Sequence, residues 1–229
     1  MTIKESPEAA ARVLAHALEG EDLPDSFTLL GKEWSLHRGV FPGTITAATE
    51  VMASVLPYPR GGSFLEVGCG TGVISVTAAL SGCSHVTALD INEKAVANTA
   101  ENAERHGVAD RVRVLHSDLY SALGPEDRFD VVFWNVPWTY VEEDFPLTTD
   151  LHGAVFDPGY QGQHRFITEA RPHLADGGRL LIGTADLGDQ ERLERSAAEI
   201  GMRVELLRRV RRIEVTRVME YRLLELTAA

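Results

Sequence analysis

From Ser63 onward, short and nearly continuous apolar runs alternate with longer segments whose apolar residues recur every three or four positions. The runs SFLEV (63–67), HVTALD (85–90), RVRVLHSD (111–118), RFDVVFWN (128–135) and RLLIG (179–183) are predicted as strands. The segments between them predict helices over Val73–Leu80, Glu93 to about His106, Gln161–Leu174 and about Leu187 to Ile200. Strands that are apolar on both faces and separated by helices belong to a mainly parallel sheet covered on both sides, an α/β fold. The tail breaks this rhythm. Arg203–Ile213 and Val218–Thr227 read as two strands with no helix between them, hence an antiparallel hairpin that makes the sheet mixed. The stretch 136–160 carries no clear period and is predicted as a loop over the site.

Upstream, Pro7 opens a helix predicted to reach Leu18, with Val13, Leu14, Ala17 and Leu18 as its apolar face. FTLLG and EWSLHRGVF then have strand character, and a further helix follows Thr44 or Thr46 until Pro57 and Pro59 stop it after Leu56. The chain therefore divides into an N-terminal extension or substrate-pocket element (1–40) and a main domain (41–229). The length, 229 residues, suits one well-buried core, and 44% hydrophobic with 24% charged residues is an ordinary globular balance.

The formal net charge of −12 weakens long-range attraction to nucleic acid or anionic membrane. The two cysteines, Cys69 and Cys83, form no CxxC or Cys/His cluster, so no metal site is expected and a reduced, cytoplasmic setting is. No signal-peptide layout and no bilayer-length apolar run occurs, so no membrane partner is expected. The oligomeric expectation is a monomer or homodimer.

The chemistry concentrates after the first main strand. Glu66, Val67, Gly68, Cys69, Gly70, Thr71 and Gly72 form a glycine-rich strand-to-helix turn, where backbone can approach a ligand and a helix N-terminus offers free N–H groups. A dinucleotide fingerprint needs GxGxxG, but Val73 stands where its third glycine belongs, and the GxGxG spacing suits S-adenosylmethionine better. No GxxxxGK[ST] sequence is present. Asp90 ends the second of these strands and can accept both hydroxyls of a ribose at a shared crevice. Ile91 is expected beside the adenine, Asp118 at its amino group, Leu119 behind the ring, and Glu66 towards the amino-acid or cationic end. A nicotinamide-dependent oxidoreductase is the competing enzyme class, and it would have to explain Val73.

Together, the Glu66–Gly72 run, Asp90, Asp118 and Asn135-Val136-Pro137-Trp138 resemble the small-domain branch of class I S-adenosylmethionine-dependent methyltransferases. That branch includes protein-glutamine N5-methyltransferases and ribosomal-RNA guanine N2-methyltransferases. The resemblance covers roughly residues 41–226. It implies a Rossmann-like, seven-stranded mixed sheet and S-adenosyl-L-methionine as cofactor. It also implies catalytic roles for Asn135 to Trp138, with Asn135 touching cofactor as well. The Asn135 side-chain carbonyl and the Val136 backbone carbonyl would receive the N–H groups of a target nitrogen. Pro137 would stiffen the loop and Trp138 would pack on a planar substrate. Two fixed acceptors orient an –NH₂ and favour the positive charge that develops on it. The family usually has Asn-Pro-Pro-Tyr or Phe, so Val136 and Trp138 are departures that bear on specificity.

Phe41, Thr46, Trp138, Glu142 and Tyr160 complete the expected substrate set. His152, Asp157 and His164 are further candidates for its far wall. The arginines of the tail (208, 209, 211, 212, 217 and 222) alternate with apolar residues and read first as solvated sheet faces, then as an RNA or dimer contact. The acidic charge and the reduced N-terminal region favour a small-molecule substrate, with RNA guanine or protein glutamine as alternatives. A non-catalytic cofactor-binding scaffold is the remaining class.

Overall fold

A computed structural model describes residues 23–214 and 217–229. The helix expected over Pro7–Leu18 lies outside these residues. The described residues open on a hairpin, β1 (Ser26–Leu29) and β2 (Lys32–Ser35), paired antiparallel with Leu29 opposite Lys32. Its two turn residues, Leu30 and Gly31, both have positive φ (53° and 69°), the backbone twist that a two-residue hairpin turn demands.

The order continues through α1 (Ala48–Val55), β3 (Ser63–Val67), α2 (Val73–Leu80), β4 (His85–Asp90), α3 (Glu93–Arg105), β5 (Val112–His116) and β6 (Phe129–Asn135). Then come β7 (Thr139–Val141), α4 (Asp150–Gly153), β8 (Phe156–Pro158), α5 (Gln161–Glu169), β9 (Leu174–Ala185), α6 (Gln190–Glu199), β10 (Met202–Glu214) and β11 (Arg217–Ala228).

The main sheet has seven strands in the order β10-β11-β9-β6-β3-β4-β5. β3, β4, β5, β6 and β9 run parallel, while β11 is antiparallel to both β9 and β10. The mixed sheet with a C-terminal antiparallel hairpin is therefore as predicted. From β3 the chain first builds outward through β4 and β5, then returns to β6 on the other side. This reversal leaves a crevice at the carboxyl ends of β3 and β6, where open α/β sheets take their ligands.

Alternation along each strand feeds two cores. Phe64, Phe133, Leu181, Tyr221 and Leu223 face α1, α2 and α3 with Met52, Val76 and Ala103. Leu65, Val132, Leu180, Ile182 and Leu224 face α5 and α6 with Phe166, Ile167 and Leu193. Each such side chain contributes about 1.5–3 kcal/mol by leaving water.

Three expectations are corrected. The stretch 136–160 is not plain loop: β7 and β8 pair in parallel, Thr139 with Phe156, and α4 lies between them. Too few residues alternate there to be read as strands. The helix expected to run to Leu174 stops at Glu169, because Pro172 disfavours helical backbone at Arg171; a 3₁₀ turn (Arg171–His173) and an early β9 follow. The last helix starts at Gln190, not Leu187, since the Asp189 carboxylate caps it by accepting the Arg192 N–H at 3.1 Å.

A polar seam fastens residues 35–39 to α3. Asn98 and Asn102 are fully buried, and both side-chain amides donate to the Ser35 carbonyl (2.8 and 3.0 Å). Asn102 accepts the Ser35 N–H and donates to the Thr71 carbonyl at 2.9 Å, tying the N-terminal segment to the glycine loop. Asn92 holds the Gly39 carbonyl at 2.8 Å, so the chain is led over the cofactor side towards Phe41.

Phe133→Ala should cost ~3–5 kcal/mol, because the fully buried ring between the sheet and α1 leaves a cavity. Ile213→Ala, at a side chain 86% exposed, should stay within about 0.5 kcal/mol. Urea unfolding of the two variants checks the contrast; similar losses would contradict the packing.

Candidate active site

The glycine loop leaves β3 through three left-handed residues, Gly68, Gly70 and Gly72 (φ 64°, 54° and 79°). At Gly72 a Cβ would lie 2.8 Å from Thr99 Cγ2 and 2.9 Å from its Cα, so α2 can approach α3 only with glycine there. At Gly70 nothing lies within 4 Å of the same position. This residue faces open space, and the space is the crevice. Gly72 donates to the Cys69 carbonyl (2.8 Å) and Cys69 donates to the Leu89 carbonyl (3.0 Å), closing the turn. Cys69 itself is buried, with its sulfur accepting from Thr99 at 3.3 Å; burial pushes its thiol well up, so it is an inert wall rather than a nucleophile. Thr71 is buried beside it.

Asp90 sits at the end of β4 with Oδ2 accepting the Gly70 N–H and Oδ1 the Asn92 N–H, both at 2.9 Å. Burial pushes its carboxyl up, and these backbone donors pull it back down. A carboxylate fixed in this way keeps lone pairs for a diol entering beside Gly70. Ile91, 66% exposed, presents an unused apolar surface next to it. Glu66 is buried under the loop, where the Ser75 hydroxyl donates to it. Desolvation pushes its carboxyl up to about 8 against the opposing hydrogen bond. At neutral pH it is a mostly protonated acid beneath the loop.

Sheet register brings the second group alongside the first. Val67 pairs with Trp134, so Gly68 and Asn135 are neighbours on adjacent strands. The Asn135 side-chain oxygen is buried and has no hydrogen-bond partner. Gly183, opposite it on β9, leaves the room: a Cβ there would lie 2.8 Å from that oxygen. The backbone that follows is committed group by group. Val136 N–H donates to the Gly183 carbonyl (3.0 Å), which accounts for valine where the family usually has proline. The Pro137 carbonyl accepts from Gln163 (2.8 Å) and the Trp138 carbonyl from the Tyr160 hydroxyl (2.7 Å). No donor among the described residues reaches the Val136 carbonyl. The Trp138 ring stands edge-on to Tyr221, 6.2 Å between centroids.

The other expected residues vary in placement. Asp118 does not offer a vacant carboxylate: Arg165 holds both its oxygens at 3.1 and 3.0 Å. Leu119 turns into the core under α5 with only 8% exposure. Tyr160 is buried, its hydroxyl donating to the Trp138 carbonyl and accepting the Asp189 N–H at 3.3 Å, so it braces the Trp138 loop. Asp157 is spent capping α5, accepting the Gly162 and Gln163 N–H groups at 2.9 Å. His164 lies on the outer surface beside Ser196 and Glu199. Phe41 packs with Val141 and Phe156 beneath the β7–β8 flap, and His152 stacks edge-on to Phe156. Glu142 is exposed and accepts from Tyr140 at 3.1 Å. Thr46 lies at the start of α1, near the Ala48 N–H (3.4 Å).

One residue escaped the pattern. Trp134 reads as strand core, yet its indole Nε1 lies 2.6 Å from where a Gly68 Cβ would be, and its ring leans on Phe166 (5.4 Å). It shapes the loop from the α5 side. Only the pairing of β3 with β6 reveals this.

A glycine cradle open at Gly70, a carboxylate beside it and an unpaired amide acceptor on the next strand define an S-adenosylmethionine-dependent methyltransferase. The family described as methyltransferase small domain matches residues 33–205, and the chain belongs to it. The release factor glutamine methyltransferase of Bordetella pertussis is 34% identical over 196 residues, 80% of this chain and 70% of that protein. A ribosomal protein methyltransferase of Desulforamulus reducens is 38% identical over 149 residues, and the chain spans only 46% of it. Among solved structures, a Pyrococcus furiosus methyltransferase matches 97% of this chain and 98% of its own, with TM-score 0.61 and 19% identity. A T. thermophilus 16S rRNA N2 methyltransferase, solved with AdoMet and guanosine, matches 89% of this chain and 50% of its own, with TM-score 0.60 and 23% identity. At these identities the solved structures share the fold. No helix among the described residues is long and apolar enough to cross a membrane.

The Glu66 assignment has a pH signature. Its folded value, about 8, stands above the ordinary 4.5, so the native state binds the proton more tightly than the unfolded chain. Stability from this group is therefore intact below 4.5 and is lost progressively as pH rises to about 8. Glu66→Gln should match the parent in acid, exceed its thermal midpoint increasingly from pH 4.5 to about 8, and keep a constant lead above that. A pH-independent difference would contradict the buried acid.

Proposed function

We propose that the chain methylates a planar, amide-like or ring-attached amino nitrogen carried by a macromolecule. The single observation behind this reading is the unpaired, buried side-chain oxygen of Asn135 beside the glycine loop. A buried acceptor without a donor is costly, and a substrate N–H supplies the missing partner. The preference for a small-molecule nitrogen drawn from the sequence gains no support: relatives are named for a release factor or a ribosomal protein, and a relative named for a small molecule, a probable cobalt-precorrin C(15)-methyltransferase, is named for transfer to carbon.

In this reading S-adenosylmethionine supplies the electrophilic methyl. Asp90 holds the ribose, Gly70 lets the backbone meet the cofactor, Ile91 covers the adenine, and Trp134 and Glu66 close the cradle. The Asp118–Arg165 pair edges the adenine site. Asn135 and the Val136 carbonyl take the two N–H groups of the target, which leaves its lone pair facing the methyl and steadies the charge that grows on nitrogen. Trp138 packs on the planar group. Phe41, Thr46 and the β7–β8 flap with Glu142 shut out water around it. Residues 36–41 cover the cofactor, so the N-terminal segment works as part of the catalytic domain. Relatives of this kind act where translation occurs, which suggests a cytoplasmic setting.

Asp90→Ala should weaken S-adenosylhomocysteine binding by roughly ten- to a hundredfold, the worth of hydrogen bonds to a charged group. Asn135→Ala should leave that affinity intact while lowering methyl transfer by roughly a hundredfold. Calorimetry, together with incubation of labelled S-adenosylmethionine with separated metabolite, RNA and protein fractions, tests both. Label confined to metabolites, or an Asn135 variant with full transfer, would overturn the reading.

A further inference from the structure

The seven-stranded sheet ends in a hairpin longer than the sheet needs. β11 pairs with β9 only from Tyr221 to Leu226, the last rung joining Tyr221 to Ala185 at the carboxyl end of β9. Residues 217–220 of β11 and 211–214 of β10 pair only with each other and project past that edge, on the side of the crevice. The arm is anchored there. Asp186 N–H donates to the Glu220 carbonyl at 2.9 Å, and Glu214 accepts from Tyr221 and from the Ala47 N–H (2.6 Å) at the start of α1. Tyr221 in turn meets Trp138, so the arm stands as a wall beside the residue proposed to pack on the target.

Its charge is opposite to that of the rest of the molecule. Residues 208–222 carry six arginines against two glutamates, a net of +4 in a chain of −12. Register sorts them onto both faces. Arg209, Arg211 and Arg222 all converge on the buried Glu220 (3.2, 3.1 and 2.9 Å), so three guanidiniums share one carboxylate. Arg208, at the base of the arm, and Arg212, on it, both on the face of α1 and Trp138, bond among the described residues only to backbone carbonyls of their neighbours (2.9 and 3.3 Å). At the far end Ile213 and Val218, a cross-strand pair, are 86% and 55% exposed. Arg208 and Arg212 stand four residues apart on one face of β10, roughly 13 Å at the rise of a strand, so this charge runs along the strand.

We propose that this arm and its base bind an RNA strand, their arginine forks taking phosphates along it while the nucleotide to be modified reaches Trp138 and Asn135. Two guanidiniums without a carboxylate partner among the described residues, spaced along a strand beside three that share one carboxylate, complement a linear polyanion, and arginine suits phosphate bidentately. An acidic protein surface offers scattered carboxylates instead. The inference rests on the proposed function only for what happens at Asn135; binding by the arm is measurable without it.

The test is fluorescence anisotropy of the full chain with S-adenosylhomocysteine, using a labelled single-stranded RNA of mixed sequence and, in parallel, a labelled poly-glutamate peptide. RNA should bind with a linear log–log salt dependence, and peptide should not. Arg208→Ala/Arg212→Ala should weaken RNA about tenfold and flatten the salt slope by ~1.4, about 0.7 per lost phosphate contact, with S-adenosylhomocysteine affinity unchanged. Arg208→Lys/Arg212→Lys, which keeps the charge and loses the fork, should keep the slope and lose part of the affinity. An unchanged slope in the alanine variant, or equal binding of poly-glutamate, would overturn the proposal. So would RNA affinity that persists while the variant self-associates, since the arginines would then only guard the open edge of β10. Labelled methyl in protein but not RNA would sink the RNA arm and leave the proposed function standing. RNA binding without transfer to any macromolecule would do the reverse.

Discussion

The hydrogen bond from the Gly70 N–H to the Asp90 carboxylate is the constraint on which the site turns. It joins the loop after β3 to the end of β4 and holds Gly70 in a left-handed turn that opens onto the crevice. Around it, Gly72 lets α2 meet Thr99, and Asn102 links the Thr71 carbonyl to the N-terminal segment. The loop is thus pinned from three sides before any ligand arrives. Preorganisation of this kind spares the cofactor the entropy of ordering its own cradle.

The same economy governs the reaction end. After β6 the backbone groups from Val136 to Trp138 are committed to Gly183, Gln163 and Tyr160, which leaves the Asn135 oxygen and the Val136 carbonyl as the acceptors without donors. Tyr160 and Asp157, which looked like pocket residues, hold this loop and the start of α5 in place. A rigid loop with two open acceptors selects for a nitrogen that brings two hydrogens in one plane. Fold alone would not do so, since many chemistries share this sheet.

The arginine arm adds a second layer of selection on a different physical basis. Short-range acceptors choose the atom, whereas a line of positive charge beside them gathers and aligns the chain that carries it. Separating the two tasks lets an acidic protein engage a polyanion locally without binding it everywhere.

Much of this was legible in the sequence, and for simple reasons. Strands buried on both faces must be apolar throughout, so β3, β4 and β6 stood out, and helices between them announced a parallel sheet. Glycine spacing and Asp90 are local chemistry, readable wherever a strand ends. What remained hidden depends on contacts between distant segments. Asp118 looked free until Arg165, on α5, was folded onto it. Trp134 looked like core until β3 paired beside it and set its indole against Gly68. The parallel pairing of β7 with β8 is too short to leave a period. The arginines of the tail alternated as any solvated strand would; only the register of β11 on β9 shows that Arg211 and Arg212 lie beyond its end on the side of the crevice. Sequence alone determined the strands of the main sheet, the helices between them and the cofactor, because these follow from periodicity and local turns. Tertiary structure decided which polar groups remain unspent, because that depends on partners far away in the chain.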